Sequence, residues 1–448
     1  MTSKPRLTQN LWERFGFRDN PYDTRALSLS PESALSVAEA FVGRGEKSNE
    51  WRLLTNFLRN PGGGCAVVEG DVGVGKTTFV NFHRYLWENE AETKLLTPAS
   101  EISVQRDWGV REFLLSVVGA LAGRLALKMG QSAATKDELL TEVSALTGVL
   151  VRESLNLSGG ISVLGSGATG GKSKSTIVHR GEVSVPALKQ YLDRLLARVR
   201  KARFAGSILH LNNLELLARD DPRRLARFFD ETRGSLQTPH VYFIFVGYTG
   251  MFQEIIVPVG RVRSVFFGYP IHLPPLSKQD VHSAIKLRYK LLALKKNKWI
   301  APVDDELIDH LYDVFAGKIR FIMDAITTLV TRLPEGVTST LSADDAREML
   351  QQLAWERIRS LLTDSEQGVL AAAVEQGRFT NSSLVKATGK SKQNVAKYVK
   401  RLVELNFAYQ AEKRGRSVFY ETSPELALLR RNENEKWFIP VARTNCLP

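Results

Sequence analysis

The chain has 448 residues, with 61 Lys and Arg against 48 Asp and Glu, and its formal charge at neutral pH is +13. This length predicts about two to four domains, and a composition that is 43% hydrophobic and 24% charged excludes disorder throughout the chain. No run approaches the roughly 20 apolar residues that a membrane-spanning helix needs. The first residues lack the apolar core of a secretory signal, so we expect a cytoplasmic protein with no membrane partner.

Cysteine content and charge narrow the function classes further. Cys65 and Cys446 are the only cysteines, which excludes a disulfide framework and a paired-cysteine zinc site. A surplus of positive charge fits nucleic acid, an anionic membrane surface or solubility alone. The position of the charge along the chain therefore decides between these interpretations.

The N-terminal half predicts an alternation of helices and strands. Residues 1–45 are rich in turn-forming residues and predict an irregular arm. Next come a helix that is ended by the glycines at 62–64, an apolar strand, a glycine-rich turn and a helix that reaches Glu90. Two helices of about 20 residues each are predicted between Trp108 and Leu155. Residues 157–181, with six glycines between Gly159 and Gly171, predict a β-hairpin or a mobile loop.

Strands and helices continue to alternate up to residue 273. Apolar strands are predicted at 207–213, 241–247 and 261–273, with helices before the first two. This alternation predicts an α/β fold with a parallel sheet covered on both faces. From Ser277 onward the pattern is helical, and after Thr363 it shortens to three brief helices and a pair of strands.

A phosphate-binding loop follows the first predicted strand. The loop matches the pattern G-x-x-x-x-G-K-[ST] at every fixed position. Its residues are Gly70, Asp71, Val72, Gly73, Val74, Gly75, Lys76 and Thr77, and Thr78 follows as a further nucleotide-binding candidate. Glycines allow successive backbone N–H groups to surround phosphates, Lys76 reaches the β and γ oxygens, and the Thr77 hydroxyl binds Mg²⁺. The helix that starts at Lys76 adds its positive end. The loop therefore predicts binding of ATP with Mg²⁺.

Hydrolysis needs a second strand that ends in an acidic residue for Mg²⁺, usually with a Glu that orients water. The best candidate, at 207–215, has Asn212 at the metal position and Asn213 where the Glu often lies. An amide can hold a metal-bound water, but it carries no negative charge and cannot act as a base. Glu215 is the alternative base, and an ordinary surface Glu is an interpretation of equal weight. We therefore expect an ATPase with slow hydrolysis.

The C-terminal module carries much of the positive charge. Its three short predicted helices have helix-turn-helix spacing, and the hairpin after them is predicted to form a wing. From Lys386 to Arg416 there are nine Lys and Arg against two Glu, a net charge of +7. This charge predicts double-stranded DNA binding by Lys390, Lys392, Gln393, Asn394, Lys397, Lys400, Arg401, Lys413, Arg414 and Arg416. The alternative is a protein-interaction module with a solvated charged face.

Four segments together resemble the AAA+ superfamily: residues 41–44, the loop at 70–77, the strand at 210–215 and the turn at 317–320. With its C-terminal winged helix, the chain is similar to the initiator-type, STAND-related ATPases that include origin-recognition proteins. The resemblance implies a P-loop NTPase sheet, a helical lid and a winged helix-turn-helix domain. Its boundaries along the chain are an arm (1–45), an ATPase core (46–272) with an insertion (157–181), a lid (273–356), a winged helix (357–430) and a tail (431–448).

The resemblance also implies roles at the nucleotide. The segment Val42, Gly43 and Arg44 would lie over the adenine. Arg320 would touch the γ-phosphate as the second sensor. The first sensor would be Thr249, with Tyr248 as the weaker alternative.

Assembly is implied as well, since an arginine of one subunit would reach the ATP of its neighbour in a homo-oligomer. Arg263 or Arg261 would supply it, and surface charge is the other interpretation of both. The insertion would touch DNA or the neighbouring subunit, with a passive loop as the alternative.

Two functions remain open from the sequence. In the first, the nucleotide sets the lid angle or a subunit interface and so controls DNA binding and self-assembly through the winged helix. In the second, the ATP-bound protein is a switch that recruits or activates an effector protein in a bacterial antiviral-defence or mobile-element system. A motor that unfolds proteins or separates strands is disfavoured by Asn212.

Overall fold

A computed structural model describes residues 10–30, 33–148, 183–218, 222–414 and 417–429. No helix within these ranges has the length and apolar character needed to cross a membrane. The predicted insertion (157–181), the predicted tail (431–448) and Arg416 lie outside them. The chain divides into two compact units, of which the first is Arg25–Leu276 and the second joins the segment that ends at Thr24 to the segment that begins at Ser277.

The first unit is built on a parallel sheet. Its strands are β1 (Gly63–Glu69), β2 (Leu95–Leu96), β3 (Ile102–Ser103), β4 (Gly206–Asn212), β5 (Val241–Gly247) and β6 (Ile271–His272). The order is β2-β4-β5-β1-β6, and β3 pairs with the far end of β4. All of these pairs are parallel, so the carboxyl ends of the strands meet at one edge.

Helices cover both faces of this sheet. They are α1 (Val37–Ala40), α2 (Asn49–Arg59), α3 (Lys76–Asn89), α4 (Val110–Met129), α5 (Gln131–Ala134), α6 (Glu138–Thr147), α7 (Val185–Lys201), α8 (Glu215–Ala218), α9 (Pro222–Leu236) and α10 (Gly260–Arg263). Successive side chains of a strand point to opposite faces: Phe243 and Phe245 of β5 join one apolar core, and Tyr242 and Ile244 join the other. The fully buried sheet confirms the predicted α/β class.

Two predicted elements of the first unit are wrong in extent. The segment 261–273 was expected to be one strand, but it begins in α10, meets β1 through a bridge between Cys65 and Phe266, and pairs again only at β6. In the second predicted helix, α6 ends at Thr147, because the next residue, Gly148, adopts φ 70° and its N–H closes the last turn on the Ser144 carbonyl. A left-handed glycine of this kind terminates a helix. The rest of that prediction, residues 149–155, lies outside the described residues.

The second unit is mainly helical. It contains α11 (Lys278–Leu292), α12 (Asp305–Val314), α13 (Ile319–Arg332), α14 (Ala343–Leu361), α15 (Asp364–Gln376), β7 (Arg378–Thr380), α16 (Asn381–Thr388), α17 (Lys392–Glu404), β8 (Ala408–Arg414) and β9 (Ser417–Thr422). The three strands form an antiparallel sheet in the order β7-β9-β8. Helices α15 to α17 and this sheet share one apolar core, which includes Leu370, Val395 and Phe407. This arrangement is that of a winged helix.

The segment predicted as an arm is divided between the two units. Residues 10–24 belong to the second unit, where a 3₁₀ helix (Leu11–Phe15) places Trp12 and Phe15 in the interior. Phe17 and Tyr22 are also fully buried. From Arg25 onward the chain belongs to the first unit. Apolar burial therefore gives this turn-rich segment a fixed place.

Candidate functional site

The phosphate-binding loop joins the end of β1 to the start of α3. Gly75 is the N-cap residue of α3 with φ 92°, a left-handed conformation that favours glycine. A side chain at Gly70 would place its Cβ 2.6 Å from the backbone oxygen of Leu273, so that position also requires glycine. Lys76 folds back over the loop, and its Nζ donates to the carbonyls of Gly70 at 2.7 Å and Asp71 at 2.8 Å. The loop thus brings a lysine to the N-terminus of a helix, whose first N–H groups have no partners within the helix itself, and this is the chemistry of a phosphate site.

The hydroxyl of Thr77 faces the end of β4. Asn212 donates from Nδ2 to Thr77 Oγ1 at 3.2 Å, while its Oδ1 accepts the backbone N–H of Asn213 at 3.0 Å. The N–H of Asn213 fixes which amide atom is which, because only an oxygen can accept it. The NH₂ group of Asn212 therefore points toward Thr77, and the oxygen that a cation would need points away.

The fit of this edge to Mg²⁺ is therefore incomplete. Mg²⁺ is held by oxygen ligands, and usually by at least one carboxylate with the substrate phosphates. Thr77 offers a hydroxyl oxygen, but Asn212 as placed offers a donor. No cluster of three or more His, Cys, Asp or Glu side chains in the described ranges could hold a metal ion.

The two other hydrolytic candidates lie beyond Asn212. Asn213 adopts φ 61° and donates from Nδ2 to the Ser103 hydroxyl at 2.7 Å. Glu215 is the exposed first residue of α8. Ser103 ends β3 and pairs with Asn212 in the sheet, and the sequence reasoning missed it because β3 has only two residues.

A buried arginine holds the segment between β2 and β3. Arg84 on α3 donates to the Thr97 hydroxyl at 2.6 Å, to the Ser100 carbonyl at 3.1 Å and to the Pro98 carbonyl. Its burial lowers the pKa of its guanidinium to about 10. Arg84 ties the helix of the phosphate loop to the segment that leads into Ser103.

The turn after β5 lies against the same loop. Thr249 donates from Oγ1 to Asp71 Oδ1 at 3.0 Å, whereas Tyr248 donates to Glu254 at 3.3 Å. Of the two sensor candidates, Thr249 is therefore the one in contact with the phosphate loop.

Glu69, the last residue of β1, supports this turn and was not predicted. Its side chain is only 8% exposed. Burial raises the pKa of its carboxyl, and hydrogen bonds from the backbone N–H groups of Phe252 and Gly250 oppose that rise. Oε2 has no hydrogen-bond partner among the described residues. The available signal was a single Glu in an otherwise apolar strand.

Arg44 connects the 42–44 segment to the loop. Its Nη2 donates to the carbonyls of Val74, at 2.9 Å, and of Pro274. The side chain also lies 3.9 Å from Glu50 and is 7% exposed. Nearby, the Thr78 hydroxyl accepts the Leu27 N–H at 3.3 Å. The segment before the sheet is thus fixed beside the loop.

The remaining arginine candidates differ in their surroundings. Arg263 donates to the carbonyls of Phe266 at 3.1 Å and Gly268 at 2.6 Å, and its guanidinium lies 5.0 Å from the centre of the Phe252 ring. Arg261 pairs with Asp230. Arg320 is an exposed residue in the first turn of α13, in the second unit.

The predicted DNA-contacting residues lie mostly on one side of α17. Val395, Val399 and Leu402 are buried, while the exposed side chains are Lys392, Gln393, Asn394, Lys397, Lys400 and Arg401. Lys390 is half-buried, with Nζ 5.9 Å from the centre of the Tyr398 ring. Lys413 and Arg414 end β8, at the tip of the hairpin. The helix therefore presents amides and cations together at its N-terminal half.

Comparison with known proteins gives structural neighbours only. No protein-family model matches the chain, and no curated protein matches it. It is similar to the ORC2 protein of Aeropyrum pernix in a structure of ADPNP–ADP complexes, with 15% identity, 91% of this chain and 94% of that chain covered, and a TM-score of 0.44. It is also similar to the ORC1 protein of Aeropyrum pernix in complex with DNA, with 16% identity, 92% and 96% covered, and a TM-score of 0.41. Likeness at this level assigns no residue, so the roles below depend on the geometry of this chain.

Proposed function

We propose that the protein binds ATP at the loop 70–77 and couples its nucleotide state to double-stranded DNA binding and self-assembly through the winged helix. One observation carries the proposal: the loop lies between a buried parallel strand and a 14-residue helix, with Lys76 folded over it. Phosphate-binding loops have this construction because the helix N-terminus and the lysine both favour negative charge.

Phosphate binding would use groups that are already in place. The first N–H groups of α3 lack partners within the helix, and Lys76 would exchange its two carbonyl acceptors for phosphate oxygens. Mg²⁺, when bound, would neutralise charge on the β and γ oxygens, and the Thr77 hydroxyl is the residue that would hold it. Thr249 would exchange Asp71 for the terminal phosphate.

Turnover is proposed to be slow. The two positions where such ATPases carry carboxylates, at the end of β4, are occupied by Asn212 and Asn213. Both amides form hydrogen bonds with neighbouring side chains. Neither can remove a proton from water. A protein of this kind holds ATP as a signal and changes state slowly.

The experiment measures nucleotide and DNA binding together in the full chain. Lys76→Ala is expected to weaken binding of a fluorescent ATP analogue by about 10- to 100-fold, since it removes a charged hydrogen bond to phosphate. Anisotropy of a labelled DNA duplex, with and without ATP, then reports the coupling. ATP should change the DNA affinity of the natural protein and leave that of the variant unchanged.

Lys94→Ala is the matched control, because Lys94 is exposed in the same unit. Undiminished ATP affinity in Lys76→Ala would reject the loop as the nucleotide site. An identical DNA affinity with and without ATP in the natural protein would reject the coupling. If no duplex binds at all, the switch that recruits an effector becomes the better function.

A further inference from the structure

A second basic surface lies in the helical part of the second unit, between α11 and α12. Residues 295–298 have the sequence Lys-Lys-Asn-Lys, and Lys295 and Lys298 form an antiparallel bridge across the turn. We call residues 295–298 the lysine turn. Asn297 has φ 57°, and all four side chains are exposed.

The backbone on both sides of the lysine turn is fixed. The N–H of Leu294 donates to the Gly16 carbonyl at 2.8 Å, and the N–H of Ile300 donates to the Phe15 carbonyl at 2.9 Å. Gly16 has φ 88°, and a Cβ there would lie 2.9 Å from the Lys298 oxygen. The turn therefore presents its lysines from a held backbone, and little ordering is needed for a partner to bind them.

The segment that contains the lysine turn is basic in sequence, and the acids beside it are Asp304 and Asp305, which line a cavity with Lys290. No Asp or Glu occurs from Val281 to Ile300 in the sequence. Lys290 and Arg18 are exposed as well, and the Arg18 N–H donates to the Leu292 carbonyl at 2.9 Å. Among the described residues, no ion pair involves Lys290, Arg18 or the three lysines of the turn. By contrast, Lys286 pairs with Asp305 at 2.9 Å.

A polyanion with closely spaced charges fits this surface. Double-stranded DNA carries one charge per roughly 1.7 Å of its axis, so several lysines on one turn meet phosphates together. An anionic membrane is the main competitor, because Leu294 and Ile300 beside the turn are partly exposed, at 52% and 42%. A lipid-binding cluster has about four to eight cations, a number that this surface reaches, but such clusters lie on an amphipathic helix or directly beside a membrane-spanning one. A turn held by backbone hydrogen bonds has no segment free to insert.

We propose that the lysine turn, with Lys290 and Arg18 beside it, is a second contact surface for the phosphate backbone of double-stranded DNA. It adds affinity without reading sequence, because backbone phosphates are the same at every site. The proposal rests on the proposed DNA-binding function, but it uses residues outside the winged helix.

The test compares three full-length variants for binding of a labelled DNA duplex across a range of salt concentrations. The turn variant carries Lys295→Gln, Lys296→Gln and Lys298→Gln. Each lost phosphate contact reduces the steepness of log K against log salt by about 0.9, so the slope should become shallower by roughly 2 to 3. The control carries Lys278→Gln, Lys286→Gln and Arg347→Gln, which lowers the net charge equally at cations already paired with acids. Its slope should not change.

A recognition-helix variant, Lys392→Gln with Lys397→Gln, separates this inference from the proposed function. If it lowers the slope and the turn variant does not, the lysine turn is rejected and the winged helix stands. If only the turn variant lowers the slope, the inference stands and the winged-helix part of the proposed function fails. Vesicles of phosphatidylglycerol and phosphatidylcholine form the last arm: a turn variant that loses only vesicle binding overturns the inference in favour of a membrane.

Discussion

Asn212 closes β4 with an amide at the position where magnesium-dependent phosphoryl transfer uses a carboxylate. Its NH₂ group faces the Thr77 hydroxyl, so the natural side chain brings no negative charge to the place where a metal ion would bind. We expect Asn212→Asp to make ATP hydrolysis dependent on Mg²⁺ and to raise the rate by about tenfold or more, since one added metal-binding carboxylate acts on the transition state. Phosphate release at increasing Mg²⁺ concentration measures this.

Asn297→Asp is the control for the added charge, because Asn297 is an exposed asparagine of the second unit. A vigorous rate in the natural protein would show instead that the amide is no obstacle. In that case, comparing Asn213→Ala with Glu215→Ala identifies the group that orients the water.

Glu69 is the second residue with a measurable consequence. Its carboxyl pKa is raised by burial above the usual 4.5, so the folded protein binds this proton more tightly than the unfolded chain. By linkage, the free energy of unfolding then falls as the pH rises above about 4.5, until the folded group has ionised. Glu69→Gln removes this loss, and the amide oxygen still accepts a backbone N–H from the turn after β5. We expect a flatter dependence of stability on pH in that variant, measured by denaturant unfolding at a series of pH values.

Glu92→Gln is the matched control, because Glu92 is an exposed glutamate of the same unit. Glu69→Ala should behave differently from Glu69→Gln, since it leaves the N–H groups of Gly250 and Phe252 without an acceptor. An identical pH dependence in natural protein and Glu69→Gln would mean that this carboxyl does not titrate with folding.

Among the secondary-structure elements, those with strong local signals were predicted correctly. The strand, loop and helix at 63–89 were found because glycines, Lys76 and Thr77 occupy fixed offsets. Helix α17 was found because Val395, Val399 and Leu402 recur at helical spacing, and in the structure Ser391 caps its start by accepting the Asn394 N–H. Elements that depend on distant contacts were not found. The predicted strand at 261–273 begins as helix α10. Arg263 then folds back onto the chain that follows, donating to the carbonyls of Phe266 and Gly268.

The site shows the same division between local and distant signals. The loop pattern identified Lys76 and Thr77, and the apolar strand before Asn212 identified that residue as the candidate at the metal position. The direction of the Asn212 amide was not predictable, because it depends on the N–H of Asn213 in a left-handed conformation. Ser103 and Glu69 were missed for a related reason: each acts through a residue more than 100 positions away in sequence, and no local pattern records such a contact.

For the whole molecule, the division into two units separates the candidate phosphate loop from the two surfaces proposed to contact DNA. The candidate phosphate loop lies in the unit 25–276, while the winged helix and the lysine turn both lie in the unit that begins at Ser277. The first residues of the chain belong to that second unit too. The proposed coupling of nucleotide state to DNA binding must therefore act between two separately packed units, which the chain connects near residues 24 and 276.

Phe17 tests whether the first residues stabilise the second unit. Its ring is fully buried, with its centre 5.1 Å from that of Tyr289. Phe17→Ala should lower the free energy of unfolding of this unit by about 3–5 kcal/mol, the usual cost of removing a buried aromatic ring. Calorimetry with and without ATP measures it: the transition of the second unit should move down, while the shift that ATP produces in the first unit is kept. Leu361→Ala, at a side chain 42% exposed, should change neither transition by much. A single transition that both Phe17→Ala and ATP move would mean that the two units unfold as one.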